Sequence, residues 1–392
     1  MPDLKPPPLP AHSTGPSLLA NLLSLALALF LAVGVLGFLD DSLLLMDRRE
    51  LSGFRALMVL LMLPAGVLLY LMIALCPRIP KKTFIPVALF IPVTSVAVLP
   101  LLVYFHEWFL WIGWAVSLIH VLLGIALIRR HRRGGNIRWP FIDDPQLTGQ
   151  GFRWTHFGAV AGAGALAIVP ALVGGVLASA TLAVDHFSAG FVALKPSGIS
   201  MQVRTYVRDD GRSVLLVPMS HVGEPDFYQN LAASFPDDAV VLMEGVSDER
   251  KLFTPTRGYS KMAEAIGVVE QQQAFKPKGR LVAADVDMSE FSPATIELLK
   301  NAMLIHSKGI TEETMPLLMK PTPKGLEKQL MDDILTKRNQ HVLRVLHDHL
   351  PHAEQIVVPW GAAHMPGIAR EIERSGFRLG ETRDYLAIRF GS

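Results

Sequence analysis

Two apolar, β-branched runs in the last half of the chain end alike: LLVPMSH delivers His221 and IVVPWGAAH delivers His364. Each stops at a proline and small residues and then presents an imidazole, so both histidines are expected at the C-terminal ends of buried strands. In open α/β sheets, ligands and catalytic groups collect at that edge: its loops are free of sheet hydrogen bonding, while the strands beneath hold them rigid. Glu244 closes a third run, AVVLMEG; Asp285 and Asp287 close LVAADVD; Arg338 and Asn339 stand midway along a long helical pattern. A carboxylate at the end of an apolar strand is costly to bury unpaired, so Glu244 needs a partner among His221, His364, Arg250 and Arg338, with Arg344 competing for the arginine's role. Two imidazoles and a carboxylate can hold a divalent ion with an open position, which makes His221, His364 and Glu244 candidate ligands. The same residues serve a second route, in which His221 or His364 is a general base oriented by Glu244 while Arg338 supports an oxyanion.

The elements that must position these residues begin near residue 197. Strands are expected at 200–207, 212–219, 239–244, 280–285, 355–359 and 384–390, and helices at 225–235, 257–267, 292–304, 324–350 and 366–375. Strands spaced by helices imply parallel pairing with helices on both faces, and about 190 residues suffice for one core. Glu224 and Asp226 read as acidic residues at a helix start, favoured there by the dipole. His341, His347, His349 and His352 read as a solvated face at a helix end. KPTPKG is an exposed loop and not a nucleic-acid patch, since no aromatic or basic cluster accompanies it.

Segment 200–390 resembles the TraB/TIKI-type domain, a group that includes GumN-like proteins and is distantly similar to ChaN and the erythromycin esterases. The shared pattern is two G-x-x-H motifs, an intervening strand ending in Glu, and an Arg-bearing helix before the second motif. Gly361-Ala362-Ala363-His364, extended by MPGI, matches the second motif; PMSH places Pro218 where the first has Gly, although His221 and VGEPDFY follow. VVLMEGV supplies Glu244, KMAEAIGVVEQQ looks like the segment ending in Gln, and KRNQHVLRVL supplies Arg338 and Asn339. The resemblance implies an EreA/ChaN-like α/β domain whose polar residues meet at one face. In some members it also implies a metal-dependent peptidase; here the expected ion is Mn²⁺, Co²⁺ or Zn²⁺, and the residues expected to be catalytic are Glu244, Arg338 and His221. The substituted first motif leaves a second expectation, a non-catalytic domain that binds a peptide or haem-like ligand.

The first half is of another kind. Half of the 392 residues are apolar, and the excess falls in five runs near 17–38, 54–76, 84–105, 107–128 and 157–183, each long enough to cross a bilayer. A tail at 1–16 is expected to be disordered, the transmembrane region to occupy 17–183, and the α/β domain 197–392. Loop 77–83 carries Arg78, Lys81 and Lys82; loop 129–156 carries Arg129, Arg130, Arg132, Arg133, Arg138 and Arg153. The positive-inside rule makes that face cytoplasmic, so the N-terminus is inside and an odd number of spans puts the C-terminal domain outside. Segment 39–53, with Asp40 and Asp41, reads as an outer connection, Trp108, Trp111 and Trp114 as interfacial anchors, and Gly158 and Gly162 as a close-packing pair. His120 is an ionisable group within a span and a functional suspect by default. The single cysteine, Cys76, excludes an intrachain disulfide, and no P-loop, G-x-S-x-G or H-E-x-x-H motif is present. The sequence thus predicts an integral protein of a bacterial-type inner or plasma membrane, carrying an extracytoplasmic hydrolase of peptide or protein substrates.

Overall fold

The computed structural model describes residues 17–132, 137–147, 151–250, 267–309, 311–319, 323 and 325–391. The tail at 1–16 lies outside the described residues, as do nearly all of the helix expected at 257–267 and much of KPTPKG. The chain forms two compact units, Met1–Leu182 and Ala183–Ser392.

The first unit is helical: α1 (Leu18–Leu45), α2 (Ser52–Leu75), α3 (Lys81–Tyr104), α4 (Phe109–His131), α5 (Trp154–Ala163) and the start of α6 (Val169–Ser188). A π-helical turn, Gly164–Ile168, joins α5 to α6 into one continuous helix. There the Val169 N–H reaches back to the Gly164 carbonyl, and Pro170, next in line, has no N–H to continue a regular ladder. Among the described residues, five helical stretches are long and apolar enough to cross a membrane, which makes this a membrane protein by length and composition.

Two expectations for this half need correction. Asp40 and Asp41 belong to α1, not to a connection, and are buried at 2% and 5% exposure. Arg55 of α2 bonds both carboxylates, while Ser52 donates to Asp40 and Ser117 of α4 donates to Asp41, so each buried carboxylate has hydrogen-bond donors. Gly158 and Gly162 make no close approach, since a methyl group on either would meet nothing within 4 Å; the tight glycine contacts of this continuous helix are Gly164 on Tyr70 and Gly175 on Val96.

The second unit is α/β. Its strands are β1 (Val192–Lys195), β2 (Gly198–Val207), β3 (Ser213–Met219), β4 (Val222–Gly223), β5 (Val240–Met243), β6 (Val269–Glu270), β7 (Arg280–Ala283), β8 (Gln355–Gly361) and β9 (Arg378–Arg389). In the main sheet, β3, β8, β5 and β7 lie side by side and parallel. On the other side of β3 the sheet turns antiparallel: β2 pairs with β3 and β1 along one edge and with β9 along the other. Strands β4 and β6 form a separate two-stranded ribbon. The other expected strands and helices recur with shifted ends, while β1 and the ribbon, too short for a clear alternation, were not anticipated.

Both faces of β3, β8 and β5 are buried, so successive residues enter different cores, while β7 is the exposed edge. Leu216, Leu242 and Val358 face Val342 and Leu346 of a helix we number α9 (Arg338–His349), and Ile368 and Ile372 of α10 (Met365–Arg374), with α8 (Pro293–Lys308) preceding them in the chain. Val217, Val241 and Val357 face Phe227 and Leu231 of α7 (Pro225–Ala233) on the opposite side. In register, Met219 pairs with Gly361 and Met243 with Ala283, which aligns the C-terminal tips of β3 with β8 and of β5 with β7.

Candidate functional site

The sequence GAAH folds into a tight turn at the tip of β8. The His364 N–H donates to the Gly361 carbonyl at 2.9 Å, and α10 starts at the next residue, so His364 is held over the strand end. Beneath it lies the fully buried Trp360, whose indole N–H donates to the Leu242 carbonyl at 3.0 Å and whose ring meets the imidazole edge-on at 5.1 Å. The Gly361 N–H donates to Glu244 Oε2 at 2.6 Å and so fixes the carboxylate at the tip of β5 against β8.

Arg338 is the centre of the arrangement. It opens α9 directly after a second π-helical turn, Asp332–Lys337, whose extra residue sets the direction in which Arg338 and Asn339 emerge. Its Nε and Nη2 donate to Asp285 Oδ1 and Oδ2 at 2.9 and 2.6 Å, a bidentate pair; Nη2 also donates to Glu244 Oε1 at 2.7 Å. Nη1 lies 3.2 Å from His364 Nε2, and His364 Nδ1 lies 2.7 Å from Asn339 Oδ1. Because an amide oxygen only accepts, Nδ1 carries the proton and Nε2 accepts from Arg338. Asp285 is sealed, with no exposed side-chain surface, and takes two further hydrogen bonds from the Gly245 and Val286 N–H groups.

The electrostatics follow from this packing. Burial works against the charge on Arg338, but the hydrogen bonds and negative charge of Asp285 and Glu244 outweigh it and raise its pKa above the ordinary arginine value. His364 is pulled down to about 4, first by burial and then by the Arg338 charge, so at neutral pH it is a neutral acceptor.

Three of the four sequence-derived site residues, Glu244, Arg338 and His364, therefore meet. His221 follows β3 along the same sheet edge but is exposed, and its carbonyl accepts the Gln271 N–H. Arg250 and Arg344 are exposed, the latter beside His341, so Arg338 is the arginine of the cluster. His347 is tied to the Leu343 carbonyl and the Ser375 hydroxyl. Two partners were not assigned to the site from sequence: Asp285, visible only as a carboxylate ending a strand, and Asn339, visible only as the neighbour of Arg338.

The structure does not group the expected ligands His221, His364 and Glu244 around one point. Among the described residues no three His, Cys, Asp or Glu side chains are grouped to hold one. The space between the Glu244 and Asp285 carboxylates and the His364 nitrogen is already taken by a cation, the Arg338 guanidinium. A metal there would meet a fixed positive charge and have to displace four hydrogen bonds. Comparison with protein-family models, curated proteins and solved structures finds no match, so the likeness to TraB/TIKI-type domains rests on the motifs themselves.

Proposed function

We propose that this chain is a membrane-anchored hydrolase of peptide or protein substrates, with its α/β domain on the extracytoplasmic side, and that it works through Arg338 and Glu244 without a metal. The observation that carries the reading is the donor count on Arg338. A guanidinium has five N–H groups; four are directed at Asp285, Glu244 and His364, which leaves one on Nη1 for a substrate carbonyl. That donor polarises the carbonyl and receives the negative charge that develops on its oxygen. Glu244 is the most exposed of the charged groups, at 15% of its side chain, and each of its oxygens keeps a lone pair beyond the bonds to Arg338 and Gly361. It takes the proton from an attacking water and returns it to the departing amine, so the carbonyl carbon gains the hydroxyl and the peptide nitrogen the proton. Asp285, His364 and Asn339 hold the guanidinium in place and touch no reacting atom.

The full chain in lipid nanodiscs, incubated with a peptide library and read by mass spectrometry, should cleave with or without a chelator. Glu244→Gln should lower turnover by about a hundredfold or more while leaving the fold intact. No cleavage by the wild type, or full activity in Glu244→Gln, would overturn the reading. One observation favours the second reading, a domain that binds a peptide or haem-like ligand without turnover. Both nitrogens of His364 are engaged within the cluster, and its side chain is only 4% exposed. Peptide binding that survives Glu244→Gln without cleavage in any sample would select it.

A further inference from the structure

The first unit holds a cavity of about 110 Å³ between its first four helices. Its wall is formed by Leu29, Phe30 and Val33 of α1, Ala65 and Leu69 of α2, Ile91 of α3 and further apolar neighbours, with one exception contributed by α4. That exception is His120, among the described residues the only lining side chain with a nitrogen or oxygen atom. Its residue is 7% exposed, and Nε2 is buried with no hydrogen-bond partner among the described residues. Buried polar atoms are nearly always satisfied, so an orphan nitrogen on an otherwise apolar wall calls for a partner from outside the chain.

The fold prepares the imidazole. It is held between the tilted rings of Phe30 and Phe90, with centroids 4.2 and 4.3 Å away, and it sits against Gly34, where a side-chain methyl would come within 3.0 Å of its Cγ. Leu29 is 43% exposed and Ala65 is exposed, so the cavity wall reaches the outer surface of the helices, where lipid tails lie in a membrane. The wall excludes charge, which rules out amines and carboxylates as the polar group of a guest. A carbonyl satisfies Nε2 in only one tautomer, whereas a hydroxyl both donates and accepts and satisfies either.

We propose that this cavity binds a membrane-dissolved lipophile bearing a hydroxyl group, with the hydroxyl hydrogen-bonded to His120 Nε2 and the apolar body lying along α1 and α2. The test uses the full chain in nanodiscs and two photoreactive probes of equal length, a diazirine-bearing long-chain alkanol and the matched alkane. Labelling of peptides from Leu18–Leu45 and Lys81–Tyr104 should favour the alkanol by about fivefold to tenfold, the worth of one net hydrogen bond. His120→Leu should abolish the preference, His120→Gln should retain part of it, and Ala65→Phe, which fills the cavity, should reduce labelling by both probes. Equal labelling of the wild type by alkanol and alkane, or a preference that survives His120→Leu, would overturn the proposal. Either result leaves the reading of the α/β domain untouched.

Discussion

At the scale of single residues the outcome turns on Arg338. Removing it leaves Asp285, with no exposed side-chain surface, and Glu244, at 15%, without a counter-charge, and breaking a buried pair in this way costs about 3–5 kcal/mol. Arg338→Ala should therefore lower the unfolding midpoint of the α/β domain strongly, whereas Arg338→Ala combined with Asp285→Ala should recover part of the loss. Near-UV circular dichroism against denaturant measures both, and a single variant as stable as the wild type would refute the network. His364 gives a pH signature of defined sign. Its pKa is about 4 in the fold against 6.5 for the free side chain, so between those values the unfolded chain binds the proton and the folded one does not. The stability it contributes is present above pH 6.5 and is lost as pH falls towards 4, by up to about 3 kcal/mol at full effect. His364→Gln should flatten this part of the pH profile, and an unchanged profile would show that His364 is not the titrating group.

At the scale of elements, the site depends on how α9 and α10 meet. A methyl group on Gly367 of α10 would lie 2.5 Å from Asn339 Nδ2, so Gly367→Ala must displace the amide that fixes the His364 tautomer. The helix gains about 1 kcal/mol of propensity from the change, which offsets the steric cost. Gly367→Ala should thus unfold at nearly the wild-type midpoint while turnover falls and the His364 imidazole shifts in ¹⁵N NMR; an unshifted imidazole would remove Asn339 from the site. These contacts also mark what could be read from sequence. The runs ending at Glu244 and His364 were legible because fully buried parallel strands are continuous apolar segments, and a charge at their end stands out. Asp285 was legible as a strand-end carboxylate but not as the anchor of Arg338, because pairing across 53 positions is decided by packing. The echo between VPMSH and VPWGAAH misled in one respect. Only the second run has Gly and two Ala to turn the chain back over its strand, whereas after Pro218 and Met219 the chain leads through the exposed His221 into the β4 ribbon. The long helix expected at 324–350 runs from Leu326 to His349, with a π turn at Asp332–Lys337 where the buried Asp333 accepts from the Ser292 N–H.

For the whole molecule, the question is which side of the membrane carries the α/β domain. Asp40 and Asp41 lie within α1 and are bonded by Arg55, Ser52 and Ser117, so they do not weigh as free acidic residues on an outer loop. The proposed orientation rests instead on the lysines and arginines of segments 77–83 and 129–156, which the positive-inside rule assigns to the cytoplasmic side. With five crossings the two ends of the chain lie on opposite sides, and a hydrolase of external peptides needs the C-terminal end outside. The single cysteine makes this testable, because Cys76→Ser yields a cysteine-free background. In that background Lys278→Cys, at a side chain 64% exposed in the α/β domain, should react with a membrane-impermeant maleimide in intact cells, while Arg78→Cys should react only after the cells are opened. The reverse pattern would place the domain in the cytoplasm, where the same Arg338 cluster would face intracellular substrates and the extracytoplasmic assignment would fall.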